Sequence, residues 1–245
     1  MTNITHYFGK SVDVTDIRIG GTSNAGGRNK FSNEQDLEMI VDTGIEPLVQ
    51  KMMLQKSSIN KEGLKSWLEQ SKIGIDTELY APLFAFTNVY QQDVGFKISP
   101  ANQREKSYAN SSPLLSDLLS EGLAACAEIA TLAQVYLQEA GIESSYFSGE
   151  VAWDRKDEFA EPHSFIHIKH NGEEYIFDPR NPIAQSNDGN ITFLPRIYHV
   201  HDFKEKIGRD QKTLVEAKII YNESKAWYGT GDGTNLTDNV FIYTF

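Results

Sequence analysis

The sequence is poor in cysteine, and Cys126 is the only one among its 245 residues. One cysteine cannot form an internal disulfide, so a disulfide-stapled scaffold is excluded, and the composition is typical of a reducing compartment. It also leaves a single free thiol whose role has to be explained.

Basic residues are scarce as well. The 23 lysines and arginines are outnumbered by 34 aspartates and glutamates, which gives a formal net charge of −11. This charge disfavours a broad electrostatic contact with nucleic acid or anionic lipid. We therefore expect proteins or small molecules as partners, and no nucleic acid.

Long apolar runs are absent, although hydrophobic residues make up 40% of the chain and suffice for a sizeable core. No run reaches the length of a membrane span or of a signal-peptide core. We expect no membrane span and no signal peptide. The expected location is cytoplasmic, or a host cytosol reached by a non-classical secretion route.

The first 111 residues divide into two predicted parts. Residues 1–33 are polar and glycine-rich, which predicts a flexible or irregular segment. Their glycines do not form a phosphate-binding loop, because the lysine and hydroxyl residue of that motif do not follow them. Residues 34–111 are predicted to be a helical part, and Ser32 and Gln35 are predicted to form a capping box at its start. The apolar residues that continue at helical spacing are Leu37, Ile40, Val41 and Ile45.

Further helices are predicted at Pro47 to Leu54 and at Glu62 to Ser71. From Asp76 to Ser112 no single period dominates. Ser112 followed by Pro113 is typical of a helix start, with serine as the cap and proline in the first position.

The spacing at which apolar residues recur changes around Gly141. From Glu121 to Gly141 apolar residues recur at helical spacing, and Cys126 falls in the first turn or two of this predicted helix. After Gly141 the period is two, which predicts strands, and Asn171-Gly172 is a strong hairpin signal. The predicted strands are Ser145 to Trp153, His163 to His170, Glu173 to Asp178, Thr192 to Val200, Leu214 to Tyr221 and Asn239 to Thr244. Helices followed by a mostly antiparallel sheet predict an α+β fold, with residues 112–245 as its core domain.

The order Cys126, His163, Asp178 suggests nucleophilic chemistry. A thiol is mostly protonated near neutrality, so a nucleophilic cysteine needs a lowered pKa, which a helix N-terminus and a nearby histidine both provide. The histidine in turn needs a group that holds it in one tautomer. His163 begins one predicted strand and Asp178 ends the next, so the Asn-Gly hairpin should bring them side by side.

These residues resemble the transglutaminase-like superfamily of papain-like cysteine enzymes. The resemblance covers about residues 115–182 and consists of Cys126 early in a helix, the His163-Ser-Phe element and the run Tyr-Ile-Phe-Asp178-Pro. It implies a papain-like core with the cysteine-bearing helix packed on an antiparallel sheet. It further implies Cys126 as nucleophile, His163 as general base and acid, and Asp178 as the residue that orients His163. The sequence departs from the family in having two alanines before the cysteine and Phe165 where a tryptophan is frequent.

Each of these residues has an alternative role. Cys126 could be a small buried hydrophobe, and Asp178 a turn residue before Pro179. His167 shares a predicted strand face with His163 and is the alternative base.

Other polar clusters are less specific. His199, His201 and Asp202 could ligate a metal, but no third spaced ligand accompanies the alternating histidines, and nothing in the sequence requires a metal or organic cofactor. The acidic loop before His163 could select basic or amide-bearing partners, and its residues are Asp154, Asp157, Glu158 and Glu161.

The negatively charged oxygen that forms when the thiolate attacks a carbonyl needs hydrogen-bond donors, and the Cys126 N–H is one candidate. Candidate side chains are Tyr90, Gln91, Gln92, Asn102 and Gln103.

The sequence therefore predicts a thiol acyl-transfer enzyme that acts on protein carboxamides, as a glutamine deamidase or a transglutaminase. A cysteine protease or amidase with the same core is the first alternative, and a non-catalytic protein-binding module is the second. The small acidic chain, its single thiol and its helical N-terminal part also resemble a bacterial effector or toxin.

Overall fold

The computed structural model describes residues 17–24, 38–95, 112–153, 161–187, 190–200, 205–207, 213–221, 225–229 and 242–244. Two short strands come first, β1 (Thr22–Asn24) and β2 (Glu38–Ile40), and they pair with each other. The helices that follow are α1 (Glu46–Ser58), α2 (Lys61–Gln70), α3 (Thr77–Asp93), α4 (Leu115–Ser120) and α5 (Cys126–Glu139).

The remaining strands form one curled sheet. They are β3 (Ser144–Trp153), β4 (Glu161–His170), β5 (Glu173–Asn187), β6 (Asn190–His199), β7 (Glu205–Ile207), β8 (Thr213–Ile219), β9 (Lys225–Gly229) and β10 (Ile242–Thr244). Their order is β10-β9-β3-β4-β5-β6-β8-β7, and β8 also pairs with β9 and β10, so the sheet curls back on itself. The pairs are antiparallel except β8 with β10. Helices followed by this sheet confirm the predicted α+β class.

Helix α5 lies at the centre of the fold. Every residue from Ala127 to Leu137 is buried, as expected for a helix that is covered on all sides. The sheet strands β3, β4 and β5 contact it, and so do α1, α3 and α4. Side chains alternate across each strand, so Ile166 and Ile168 join this core while Phe165 belongs to a second apolar cluster.

The predicted helix through Ile40 is wrong. Residues Glu38–Ile40 form strand β2, in which Met39 is buried and Ile40 is 36% exposed, the alternation of a strand. The Ile40 N–H donates to the Pro113 carbonyl, and the Val41 N–H to the Gly21 carbonyl, both at 2.9 Å. These partners, distant in the sequence, determine the extended conformation of Glu38–Ile40. The predicted cap residues Ser32 and Gln35 lie outside the described residues.

The N-terminal strand also corrects the prediction of an irregular segment, as far as residues 17–24 are concerned. Ile17 is fully buried, and the Ser23 hydroxyl is 2.7 Å from the Thr131 hydroxyl of α5. One apolar core extends from Ile17 to Ile197 and is shared by the three predicted parts of the chain, 1–33, 34–111 and 112–245.

The predicted helices at Pro47 to Leu54 and Glu62 to Ser71 are confirmed as α1 and α2. Helix α3 was missed, because it runs through Pro82 where a proline usually ends or kinks a helix. The carbonyl of Pro82 accepts the Tyr136 hydroxyl at 3.1 Å, which ties α3 to α5.

The predicted helix start at Ser112 and Pro113 is displaced. Helix α4 begins at Leu115, and its first turn is capped from a distance by Asp42, whose Oδ1 accepts the Ser116 N–H at 3.0 Å. A cap that lies so far away in the sequence has no local signal.

The Asn171-Gly172 hairpin is confirmed. Both residues have positive φ, 51° and 81°, and His170 pairs with Glu173 across the turn. Strand β5 does not end at Asp178 as predicted but continues to Asn187, with a register shift between Asp178 and Ile183 relative to β6. Asp178 therefore stands at the edge of a β-bulge, a position that re-aims side chains.

The helices within the described ranges include none that combines the length and apolar character needed to cross a membrane.

Candidate active site

Cys126 is the first residue of α5, which confirms its predicted place early in a helix. The residue before it, Ala125, is extended (φ −114°) and forms no side-chain cap. Serine, threonine, asparagine or aspartate usually accepts an N–H at this position, and alanine cannot. The helix therefore presents uncapped N–H groups and the positive end of its dipole beside a partly exposed thiol.

His163 lies near the start of β4 and is 7% exposed. Its Nε2 is 2.9 Å from Oδ2 of Asp178, so Nδ1 is the ring nitrogen left for the Cys126 thiol. The thiol lies close enough to His163 for the imidazole to lower the pKa of Cys126 through hydrogen bonding and charge, and the Ser164 N–H acts in the same direction. The structure thus brings the three predicted residues together in the order thiol, imidazole, carboxylate.

Asp178 is fully buried, and its oxygens are occupied by neighbours from the bulge. Oδ2 also accepts the Asn181 side-chain amide at 3.0 Å, and Oδ1 accepts the Arg180 N–H at 3.2 Å. These bonds hold the carboxylate against the His163 ring, so they fix the tautomer in which Nε2 carries a proton.

Arg196 of β6 supports this arrangement from the next strand, where it pairs in register with Asp178. Its Nε donates to the Asn181 carbonyl and its Nη1 to the Tyr198 hydroxyl at 2.9 Å. Sequence analysis missed both Asn181 and Arg196. The run Asp-Pro-Arg-Asn has the composition of a turn and could have pointed to Asn181, whereas nothing local marks Arg196.

The charges of the site shift its pKa values in a consistent direction. Burial raises the pKa of the Cys126 thiol, but hydrogen bonding to His163 and the charge of His163 outweigh this and bring it below its usual value. Burial lowers the pKa of His163, while the charge and hydrogen bond of Asp178 raise it to about 10. Burial raises the pKa of Asp178, yet the charge of His163 and its hydrogen bonds bring it to about 2. All three shifts favour a thiolate beside an imidazolium.

The other described histidines are engaged elsewhere. His167, the alternative base, bonds to Oε2 of Glu174 at 3.1 Å, and burial lowers its pKa. His170 bonds to Asp76 at 2.7 Å, and His199 to Glu173 at 2.8 Å. His163 is therefore the described histidine that contacts the thiol.

The alternative metal site and the acidic loop are only partly visible. In the part of the chain that the structure describes, no group of three or more His, Cys, Asp or Glu side chains is placed to hold a metal ion. His201 and Asp202 lie outside the described residues, and so do Asp154, Asp157 and Glu158; the side chain of Glu161 is likewise not described.

Among the described oxyanion candidates, Tyr90 of α3 is the one on which charges near the site act. Burial raises the pKa of Tyr90, and the charges of Arg180 and Glu128 act on its phenol in opposite directions. The phenol therefore keeps its proton and is a possible donor. The Gln91 Oε1 atom is buried without a hydrogen-bond partner, Gln92 is exposed, and Asn102 and Gln103 lie outside the described residues.

The sequence matches no protein-family model, and no curated protein matches it. The site is therefore interpreted from its own residues and geometry.

Proposed function

We propose that this protein is a thiol acyl-transfer enzyme in which Cys126 is the nucleophile, His163 the general base and acid, and Asp178 the residue that orients His163. The observation that carries the proposal is the contact of Cys126, at an uncapped helix N-terminus, with His163, whose Nε2 is 2.9 Å from the buried Asp178. A structural cysteine has no need of an imidazole that is itself held by a buried carboxylate.

The reaction follows from the protonation state of the pair. The Cys126 thiolate attacks the carbonyl carbon of a carboxamide and forms a C–S bond, which places negative charge on the carbonyl oxygen. The Cys126 N–H at the helix N-terminus stabilises this charge, with Tyr90 as a second candidate donor. The C–N bond then breaks, and the His163 imidazolium gives its proton to the departing ammonia or amine.

The acyl-enzyme is resolved in a second half-reaction. Neutral His163 takes a proton from water or from a primary amine, the nucleophile attacks the thioester, and the thiolate leaves as the C–S bond breaks. Water produces a carboxylic acid, as in a deamidase, and an amine produces a new amide, as in a transglutaminase. Throughout, Asp178 remains ionised and stabilises the imidazolium.

A papain-like core of the transglutaminase-like type fits this proposal. A central helix carries the thiol at its N-terminus, and adjacent antiparallel strands carry the histidine and the aspartate. We propose a glutamine side chain of a protein as the substrate and a cytoplasmic or host-cytosolic place of action, as for an effector or toxin. The net charge of −11 supports a protein partner over nucleic acid.

The test has a labelling step and a product step. Iodoacetamide labelling of Cys126, followed by intact mass against pH, should be fast well below the ordinary thiol pKa of about 8.5 in the wild type and slow in His163→Ala. Casein, incubated with and without a primary amine, should then release ammonia with the wild type and not with Cys126→Ala.

The alternatives predict different outcomes. Cleavage of casein with no ammonia release would identify a protease instead. Labelling that occurs only at alkaline pH in both proteins would remove the catalytic interpretation and leave a binding module.

A further inference from the structure

Glu128 is a fully buried acidic residue one turn into α5, on the helix that carries the nucleophile. Its Oε2 accepts the N–H of Ala125 at 2.7 Å, and Ala125 directly precedes Cys126. This is one half of a capping box, in which the acidic residue at the third helical position reaches back to the N-cap. The other half is missing, because alanine has no side-chain acceptor.

The bond fixes the turn that positions the thiol. It satisfies the Ala125 N–H, which has no carbonyl partner within the helix. It also holds the backbone of Ala125 extended, and this conformation sets the direction in which the Cys126 side chain leaves the helix.

The carboxylate also has an electrostatic effect on its surroundings. Its negative charge opposes the ionisation of the Cys126 thiol and of the Tyr90 phenol. It therefore works against His163, which stabilises the thiolate.

We propose that Glu128 is a positioning residue that sets the reactivity of Cys126: its hydrogen bond fixes the turn before the thiol, and its charge keeps the thiolate from being stabilised too strongly. This inference rests on the proposed function of the site. A thiolate loses nucleophilicity as its conjugate acid becomes stronger, with a Brønsted slope of about 0.4 to 0.5. A moderating charge thus preserves the rate of attack on a poorly reactive carboxamide.

Other charged groups act on this cluster from β4 and β5. His163 of β4 contacts the thiol itself, and the charge of Arg180 on β5 acts on Tyr90 of α3. Asp178 acts on the thiol only through His163. Glu128 is thus the acidic group on the helix side of the thiol, and Asp178 the acidic group behind the imidazole.

Conservative variants separate the hydrogen bond from the charge. Glu128→Gln keeps an oxygen acceptor for the Ala125 N–H and removes the charge, whereas Glu128→Ala removes both. The matched control is Glu139→Gln, the same chemical change at an exposed position at the other end of α5. For each protein we would measure the second-order rate of iodoacetamide labelling against pH, together with the Tm.

The expected result is a labelling profile for Glu128→Gln that rises at lower pH than in the wild type and reaches a lower plateau. The plateau should fall about threefold for each unit by which the pKa of the thiol decreases. Its Tm should stay near that of the wild type, Glu128→Ala should have a lower Tm, and Glu139→Gln should match the wild type in its profile. A purely structural role of Glu128 would change the Tm and leave the profile in place.

An unchanged profile in Glu128→Gln, or one that moves to higher pH, would overturn the inference. The proposed function fails separately, when the wild type labels only at alkaline pH and in the same way as His163→Ala. If Glu128→Gln does not fold, the carbon-13 shift of the Glu128 carboxyl group provides the readout in otherwise native protein. That chemical shift should change in the pH range where Cys126 ionises and should not do so in Cys126→Ser; the same pH dependence of the chemical shift in both proteins would overturn the inference.

Discussion

Replacing Asp178 by asparagine should strongly reduce the labelling of Cys126 that we expect near and below neutral pH. Asparagine has the size of aspartate and can still accept a hydrogen bond from Nε2 of His163, so the variant removes the charge and preserves the shape. The charge of Asp178 is the largest influence that raises the pKa of His163, and burial acts in the opposite direction. Without that charge the pKa of His163 should fall, and the neutral thiol and imidazole become the resting pair.

The size of the effect follows from the shift itself. The pKa of His163 is about 10 against an ordinary 6.5, which corresponds to about 5 kcal/mol between its protonation states. Asp178 and Cys126 both contribute to the raised pKa of His163, because a negative charge on either side of the ring favours the imidazolium. Even half of this shift in pKa would reduce the population of the ion pair by about fiftyfold. We therefore expect labelling near neutral pH to slow by at least tenfold.

The assay is the labelling rate against pH, with Asp117→Asn as the control. Asp117 is an exposed residue of α4, so its replacement should leave the profile unchanged. Circular dichroism and the Tm would show whether Asp178→Asn is folded. A folded Asp178→Asn protein whose profile overlays that of the wild type would refute the reasoning, because His163 would then be held protonated without Asp178.

Two further predictions concern stability. Ala125→Ser should add the missing N-cap and raise the free energy of unfolding in urea by about 0.5 to 2 kcal/mol. Labelling of Cys126 should slow, because the new hydroxyl accepts an N–H at the helix end. A variant that is no more stable than the wild type would contradict this prediction. His167 has a lowered pKa in the folded state, so its contribution to stability is complete above the ordinary pKa of 6.5 and is lost as the pH falls below it. His163 acts in the opposite direction, because its raised pKa contributes stability that is complete below 6.5 and is lost as the pH rises toward about 10. Urea titrations should therefore show that His167→Gln loses less stability than the wild type on acidification from neutral pH, and an equal loss in both proteins would exclude His167 as the cause.

The parts of the site that could be predicted from the sequence are those with local causes. The Asn-Gly turn specifies the hairpin between β4 and β5, and the hairpin brings His163 near Asp178. The 3.6-residue period and Gly141 define α5, so the place of Cys126 in its first turn follows. These features need only neighbours within a few residues or across one tight turn.

The parts that could not be predicted depend on distant contacts. Strand β2 forms because its backbone groups find partners at Gly21 and Pro113, and helix α4 is capped by Asp42. The bulge after Asp178, with Arg196 bonded to the Asn181 carbonyl, joins two strands whose register no local pattern states. Glu128 did have a local signal, since an acid three residues after a helix cap is typical of a capping box. The alanine at the cap position concealed it.

The same alanine shows how the fold accommodates a helix end that has no side-chain cap. An isolated helix would lose stability without an N-cap, but most helical stability in a protein comes from tertiary packing. Helix α5 is buried on all sides from Ala127 to Leu137, so its packing compensates for the missing cap. In the proposed mechanism the Cys126 N–H at this end meets the charge of the thiolate or of the oxyanion, and the bond from the Ala125 N–H to Glu128 keeps the turn in place. Under the proposed function, stability resides in the middle of α5 and the reactive thiol at its first residue, which is why a cap at Ala125 should raise stability and slow the labelling of Cys126.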